Sequence, residues 1–229
     1  MKELESFAFK LNRLGGKNTF KQSQVDEFAI INSAQPFIDL EIFILEGSSV
    51  FFHFDSRLYM TFAHWLKEFG HLISPSKLQK IIKTHKMSYD LQVLLGIIFF
   101  IQEYSDIGLV NRNKGNGFQS LIKLCHKKIN EREVFQYPSR FENDQAWGKA
   151  KIKLPKFKFS AEHNYLNSKK RIFESVKEIK YRMMGLSANQ AETLICIENK
   201  ILSPAEISKI TLADYGNSYR RLKLFEFLS

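Results

Sequence analysis

The chain has 229 residues, with 34 Lys and Arg against 24 Asp and Glu, a formal charge of +10. Hydrophobic residues at 44%, with 21 Phe among them, exclude wholesale disorder and supply ample apolar surface for a core. Two cysteines, Cys125 and Cys196, exclude a disulfide scaffold and a four-cysteine zinc site.

The N-terminal Met1-Lys-Glu-Leu-Glu lacks the apolar region of a secretory signal. The longest apolar run, Val93 to Ile101, is about half the length a membrane span needs. A cytoplasmic protein with no membrane partner is therefore expected. The positive charge is local. Residues 1–148 hold 18 basic and 16 acidic residues, Lys149 to Arg182 hold 11 and 3, and Met183 to Ser229 hold 5 and 5. A field concentrated in one stretch attracts polyanions or an acidic protein surface.

In chain order, Lys2 to Leu14 reads as an amphipathic helix on Leu4, Phe7, Leu11 and Leu14, ended by Gly15-Gly16. From Phe37 to Leu45 the pattern alternates with period two, Ile38, Leu40, Ile42 and Ile44 on one side and Phe37, Asp39, Glu41 and Phe43 on the other. With a turn at Glu46–Ser49 and a short aromatic strand from Val50 to Phe54, this predicts a β-hairpin. Ser56 to Phe69 reads as a helix, another starts at Ser74-Pro75, and Ser88 to Tyr104, apolar nearly all round, predicts a buried central helix. Leu94, Leu95, Ile98 and Phe99 are its expected core residues. Residues 105–116 read as a loop, and Gly117 to Asn130 as a helix.

Glu131 to Phe159 follows neither period, contains Pro138 and Pro155, and carries Lys at alternate positions over much of 149–158; it reads as an extended linker or an edge strand. Ser160 with Glu162, then Asn167-Ser168, offer helix starts. Lys169 to Met184 predicts one basic helix, ended by Gly185. Ser187 to Glu198 predicts a helix. Ser203-Pro-Ala-Glu206 reads as a capping box with Pro at the first helical position, opening a short helix that a turn with Asp214 and Gly216 closes. The last helix, Asn217 to Leu228, displays Tyr219, Arg220, Arg221 and Lys223 while Leu222, Phe225 and Leu228 pack inward. A medium helix, a short helix, a tight turn and a basic helix are the parts of a helix-turn-helix, in which the short helix buttresses the one that enters the major groove.

The stretch from Arg182-Met-Met-Gly-Leu-Ser187 to Glu192, with Ser203-Pro-Ala-Glu-Ile-Ser208 and Tyr219-Arg-Arg-Leu222, resembles the winged-helix module of bacterial transcriptional regulators. More narrowly it resembles the antitoxins partnered with nucleotidyltransferase toxins. The resemblance covers about one fifth of the chain. It implies a DNA-binding autorepressor with a cognate toxin as protein partner.

Other constellations carry less. Asp39 and Glu41, near Glu46, His53 and Asp55, hold chemistry a metal-dependent nuclease would use, but on an amphipathic strand they are its wet side. His64 and His71 are separated by the helix-ending Gly70. Cys125 and Cys196 read as small core residues. Asn113-Lys-Gly-Asn-Gly117 lacks P-loop spacing. No catalytic or cofactor signature appears.

The expected protein is mainly α, with a small β-hairpin or sheet in the N-terminal part and a C-terminal helix-turn-helix-like bundle. Its expected divisions are an N-terminal helical domain over 1–133, a basic linker over 134–159, and a basic helix with bundle over 160–229. A non-enzymatic DNA-binding regulator needing no cofactor or metal is the first functional reading. Tyr219, Arg220, Arg221 and Lys223 would meet duplex DNA, and Lys169, Lys170 and Arg171 its phosphates. The alternative is a protein-interaction module whose basic segment docks an acidic partner, such as a toxin. A metal-dependent nuclease using Asp39 and Glu41 is the third.

Overall fold

A computed structural model describes residues 2–17, 36–84, 88–105, 114–125, 132–133, 143–156 and 165–228, with only the backbone at 114–117, 124–125, 132–133 and 226–228. The chain is mostly α-helical. In order come α1 (Lys2–Arg13), α2 (Leu40–Val50), α3 (Ser56–Phe69), α4 (Pro75–Thr84), α5 (Leu91–Tyr104), α6 (Lys114–Cys125), α7 (Gln145–Lys149), α8 (Lys169–Ser175), α9 (Lys177–Met183), α10 (Ala188–Glu198), α11 (Pro204–Thr211) and α12 (Tyr215–Leu228). Two strands of two residues, β1 (Arg132–Glu133) and β2 (Ile152–Lys153), pair in parallel. No helix among the described residues is long and apolar enough to cross a membrane.

Aspartates start four of these helices. Asp39, Asp55, Asp90 and Asp144 sit at N-caps; the Asp55 side chain accepts one backbone N–H of the first turn and the other three accept two each. Such a cap satisfies donors that have no partner within the helix. The first of them overturns the expected β-hairpin: Leu40 to Val50 is helical, and Phe51–His53 continues as a turn of 3-10 helix. Leu40, Phe43, Ile44 and Gly47 form a helical stripe, and the other residues are also largely covered, so α2 is covered nearly all round. A segment buried on every side satisfies a period of two as readily as one of 3.6, and the Asp39 cap decides for helix.

The larger core gathers α1 to α9. Phe7 stacks on Phe43 with ring centroids 4.8 Å apart and on Phe54 at 5.1 Å, and Phe62 meets Phe7 edge-on. α5 runs through this core, with Leu94, Leu95 and Ile98 fully covered and Phe99 half-buried. Residues 143–156 depart from the linker expectation. Trp147 is 1% exposed and stacks on Phe51 at 4.7 Å, while Ala146, Ala150, Ile152 and Leu154 are buried. Here Ile152–Lys153 is a short strand seated on the core, with Ile152 and Leu154 inward and Lys151 and Lys153 outward. The rest of the expected linker, and the helix start at Ser160, lie outside the described residues.

The expected basic helix from Lys169 to Met184 is two helices. Val176 leaves the helical region at φ −111°, ψ 91°, ends α8 and caps α9. A second, smaller core joins Phe37, Tyr181, Ala191, Ile195, Cys196, Ile207 and Leu222, and so ties α9 to α10, α11 and α12. Two helix ends here have the same form. After α9, Leu186 N–H reaches the Tyr181 carbonyl and Gly185 N–H that of Arg182; after α10, Ile201 N–H reaches Cys196 and Lys200 N–H reaches Ile197. Both need a left-handed residue, Gly185 at φ +93° and Lys200 at φ 61°.

Candidate functional site

α10, α11 and α12 form a three-helix unit. Ser187 and Gln190 close a capping box at the start of α10. At α11 the expected box is absent: Pro204 occupies the first turn, but Ser203 makes no side-chain capping bond. α11 is eight residues long, and three residues, Leu212, Ala213 and Asp214, connect it to α12. Leu212 takes the left-handed conformation at φ 53°, the sharp reversal that a three-residue turn between crossing helices requires. Thr211 Oγ1 donates to the Ile207 carbonyl, Ser208 Oγ to that of Ala213 and Ser218 Oγ to that of Asp214, so hydroxyls pin both sides of the turn. Ile207 and Leu222 seat α11 and α12 on α10 through the smaller core.

This packing sorts the residues of α12. Tyr219, Arg220 and Lys223 are exposed, and Lys223 Nζ stands 6.0 Å from the centre of the Tyr219 ring. Arg220 donates to the Gly216 carbonyl and to Asn217 Oδ1, both at 3.3 Å. Arg221 is half-buried, with Nη1 covered and unpartnered. Lys169, Lys170 and Arg171 lie exposed on the first turn of α8; Lys169 pairs with Glu68 at 2.5 Å, and Lys170 stands 4.0 Å from Glu174.

Between the two cores lies a buried network that the exposed residues of α8 and α12 do not join. Asp39 at the cap of α2, Glu41 in its first turn, Lys77 on α4, Arg182 on α9 and Glu192 on α10 are all buried. Arg182 grips Glu41 with two parallel bonds, Nη1 to Oε1 at 2.6 Å and Nη2 to Oε2 at 3.0 Å. Its Nη2 also meets Glu192 Oε1 at 2.7 Å, and Nη1 donates to the Leu72 carbonyl. Lys77 Nζ lies 2.6 Å from Asp39 Oδ2, 2.5 Å from Glu192 Oε1 and 3.6 Å from Glu41 Oε2. Ser74 N–H donates to Glu41, and Asp39 Oδ1 accepts from Glu41 and Ile42 N–H.

Burial would raise the Glu41 carboxyl, but the Arg182 guanidinium and then Lys77 outweigh it and hold it at about 2. For Glu192 burial prevails, reinforced by Asp39, over Lys77 and Arg182, and the group is pushed up to about 8. Asp39 is also raised, burial outweighing Lys77. Burial would lower Lys77, but Asp39, Glu192 and Glu41 together raise it.

The carboxylates of Asp39, Glu41 and Glu192 offer oxygens within 4.8 Å of one another, close enough to share a cation. Lys77 and Arg182 already supply cationic groups among them. The network is also covered from solvent, and a nuclease centre needs an open face for its phosphodiester. Its chemistry here is to fasten α2 and α4 of the larger core to α9 and α10.

A period of two predicts Asp39 and Glu41 on the wet face of a strand. The helical turn instead aims both into the protein, where Lys77, Arg182 and Glu192 meet them from 36 to 153 positions away along the chain. The available signals were Asp39 as a helix cap and charged residues beside strongly apolar segments. Cys196 is buried, as expected of a small core residue, and burial raises its thiol to about 11; the side chain of Cys125 lies outside the described residues. No protein-family model, curated protein or solved structure matches the chain.

Proposed function

We propose that the protein is a non-enzymatic DNA-binding regulator in which α10 to α12 form a helix-turn-helix reading unit. The observation that carries this reading is the combination of an eight-residue helix, a three-residue turn with a left-handed first residue, and a following helix with Tyr219, Arg220 and Lys223 exposed. In this reading the first turns of α12 enter the major groove, Arg220 meets base edges, Tyr219 offers its ring to a thymine methyl, and Lys223 takes a phosphate. Lys169, Lys170 and Arg171 on α8 contribute phosphate contacts. Arg221, half-covered, anchors the helix rather than reading bases.

An autorepressor of the antitoxin type is the form of regulator that the resemblance favours. Its test is a gel shift with the DNA upstream of the protein's own gene against unrelated duplex of equal length. A preferential shift, weakened by Arg220→Ala with Lys223→Ala, supports the reading, and equal absence of binding to both duplexes overturns it.

A second reading is a protein-docking unit. Among the described residues, the large hydrophobic side chains left exposed are Leu91 and, in the C-terminal part, Met183, Met184, Leu202, Tyr215, Tyr219 and Leu224. Apolar exposure of this kind suits a protein partner, for which the basic segment would select an acidic surface such as a toxin's. The nuclease reading gains nothing from Asp39 and Glu41, which are covered and paired.

A further inference from the structure

The network between the two cores has an uneven charge count. Asp39, Glu41 and Glu192 bring three carboxylates, and Lys77 and Arg182 bring two cations, all at 7% exposure or less. An uncompensated charge in such a place is costly, and a protein avoids it by pairing or by changing protonation. Pairing is incomplete: Glu192 Oε2 and Arg182 Nε are covered without a hydrogen-bond partner. Oε1 of Glu192 already accepts from both Lys77 and Arg182, so the excess charge falls on the side of the network where Oε2 has nothing.

We propose that the network is a proton-binding site: one proton held by Glu192 or by its neighbour Asp39 makes the buried set neutral and keeps the three-helix unit docked on the larger core, and loss of that proton loosens the docking. The inference goes beyond the DNA-binding reading and does not depend on it.

The surroundings of Glu192 agree. Asp39 and Glu41 face it from α2, Lys77 from α4, Arg182 from α9, Cys196 from its own helix and Arg221 from α12. Behind Arg182, Glu178 is a fourth buried carboxyl, raised by its burial although Ile38 N–H, Arg13 and Arg182 act against that, so it adds no cation to offset the excess. Arg221 is the one cation of this group that is only half-buried, and solvent screens its charge, so it offsets the excess only in part. Burial together with Asp39 sets the Glu192 carboxyl near 8, so the proton leaves between neutral and mildly alkaline pH. Burial raises the Cys196 thiol to about 11, and Lys77 is raised by its acidic neighbours, so neither titrates in that interval.

The consequence is readable by hydrogen exchange. On the full-length protein, amide protection factors, corrected for the intrinsic effect of pH on exchange, are compared at pH 6 and pH 9. Peptides from α10 to α12 are set against those from α5. If the undocked carboxyl titrates near its ordinary 4.5, docking weakens by up to about two orders of magnitude over this interval. Protection of α10 to α12 should fall accordingly while α5 holds.

Glu192→Gln keeps the shape and removes the excess charge, and its α10–α12 protection should stay level from pH 6 to pH 9. Asp39→Asn, which can still cap α2, removes the same charge from the neighbouring position and should behave alike. Glu198→Gln, on the exposed side of the same helix, should retain the wild-type pH response. If wild-type protection of α10 to α12 is the same at both pH values, or if both neutralising variants lose it as the wild type does, the proposal is overturned.

Discussion

The guanidinium of Arg182 faces both carboxylate oxygens of Glu41 at 2.6 and 3.0 Å, joining two helices whose residues stand 141 positions apart. The pair sits where the larger core meets the three-helix unit. It fixes the position of α9, and through the smaller core that of α10 to α12.

Removing one member of this pair should be costly. Arg182→Ala leaves Glu41 and Glu192 buried without their guanidinium, for which about 3–5 kcal/mol is expected. Glu41→Ala should cost less, because Arg182 keeps Glu192 and the Leu72 carbonyl and the change removes the excess negative charge. The double variant should cost clearly less than the two losses added, because the second change removes the stranded charge. Chemical denaturation of the four proteins in the cycle measures this; strict additivity would show that the two groups do not act as a unit.

Glu41 and Glu192 pull stability in opposite directions with pH. Glu41, held at about 2 against an ordinary 4.5, contributes fully above 4.5 and loses its contribution as pH falls through 2. Glu192, raised from 4.5 to about 8, contributes fully below 4.5 and loses its contribution as pH rises through 8. Thermal melting across pH should therefore show the contribution of the network declining on both sides of about pH 4.5 to 5. Glu192→Gln should remove much of the alkaline decline and leave the acid side in place.

α5 and α7 touch at a position with no room for a side chain. A Cβ on Gly96 would lie 2.3 Å from Trp147 Cε3 and 2.4 Å from Cζ3. Gly96→Ala should therefore destabilise by about 1–3 kcal/mol or more, despite alanine's better helix propensity. A denaturation midpoint equal to or above that of the wild type would contradict this packing.

Much of the helical layout can be read from the sequence. Central α5 announces itself by its apolar run and α10 by its start at Ser187, whereas the capping roles of Asp90 and Gln190 emerge from the structure. α2 is misread because burial on all sides erases the difference between the two periods. The break at Val176 carries neither Gly nor Pro, and Trp147 gives no sign of its destination because its ring finds Phe51 nearly a hundred residues earlier. The basic face of α12 is legible from spacing, except for Arg221. The charge network is not, since its members converge only after two cores have formed, and Lys77 on an otherwise amphipathic helix looks like any surface lysine.

The two similar helix ends give an independent check of local geometry. Gly185 fits its left-handed position without strain, whereas Lys200 occupies the corresponding one with a Cβ. Lys200 is exposed, so Lys200→Gly sacrifices little packing and relieves the left-handed strain. A net gain of about 0.5–1 kcal/mol is expected after the entropy of glycine in the unfolded chain is set against it. A loss of stability would mean that the α10 terminus is shaped otherwise.

The DNA-reading role proposed for α12 makes a quantitative demand. Arg220→Ala should cost about 1–3 kcal/mol of discrimination at one base pair. Lys169→Ala with Lys170→Ala should instead weaken all sequences and lower the salt slope by about 0.9 for each phosphate left without its lysine. The most direct measurement is fluorescence anisotropy of labelled upstream duplex, titrated with the protein over a salt series from about 50 to 200 mM, where several neutralised phosphates give a steep log–log slope. The account predicts salt-dependent binding with a preference for that duplex, which Arg220→Ala reduces. No binding to any duplex at the lowest salt would contradict it.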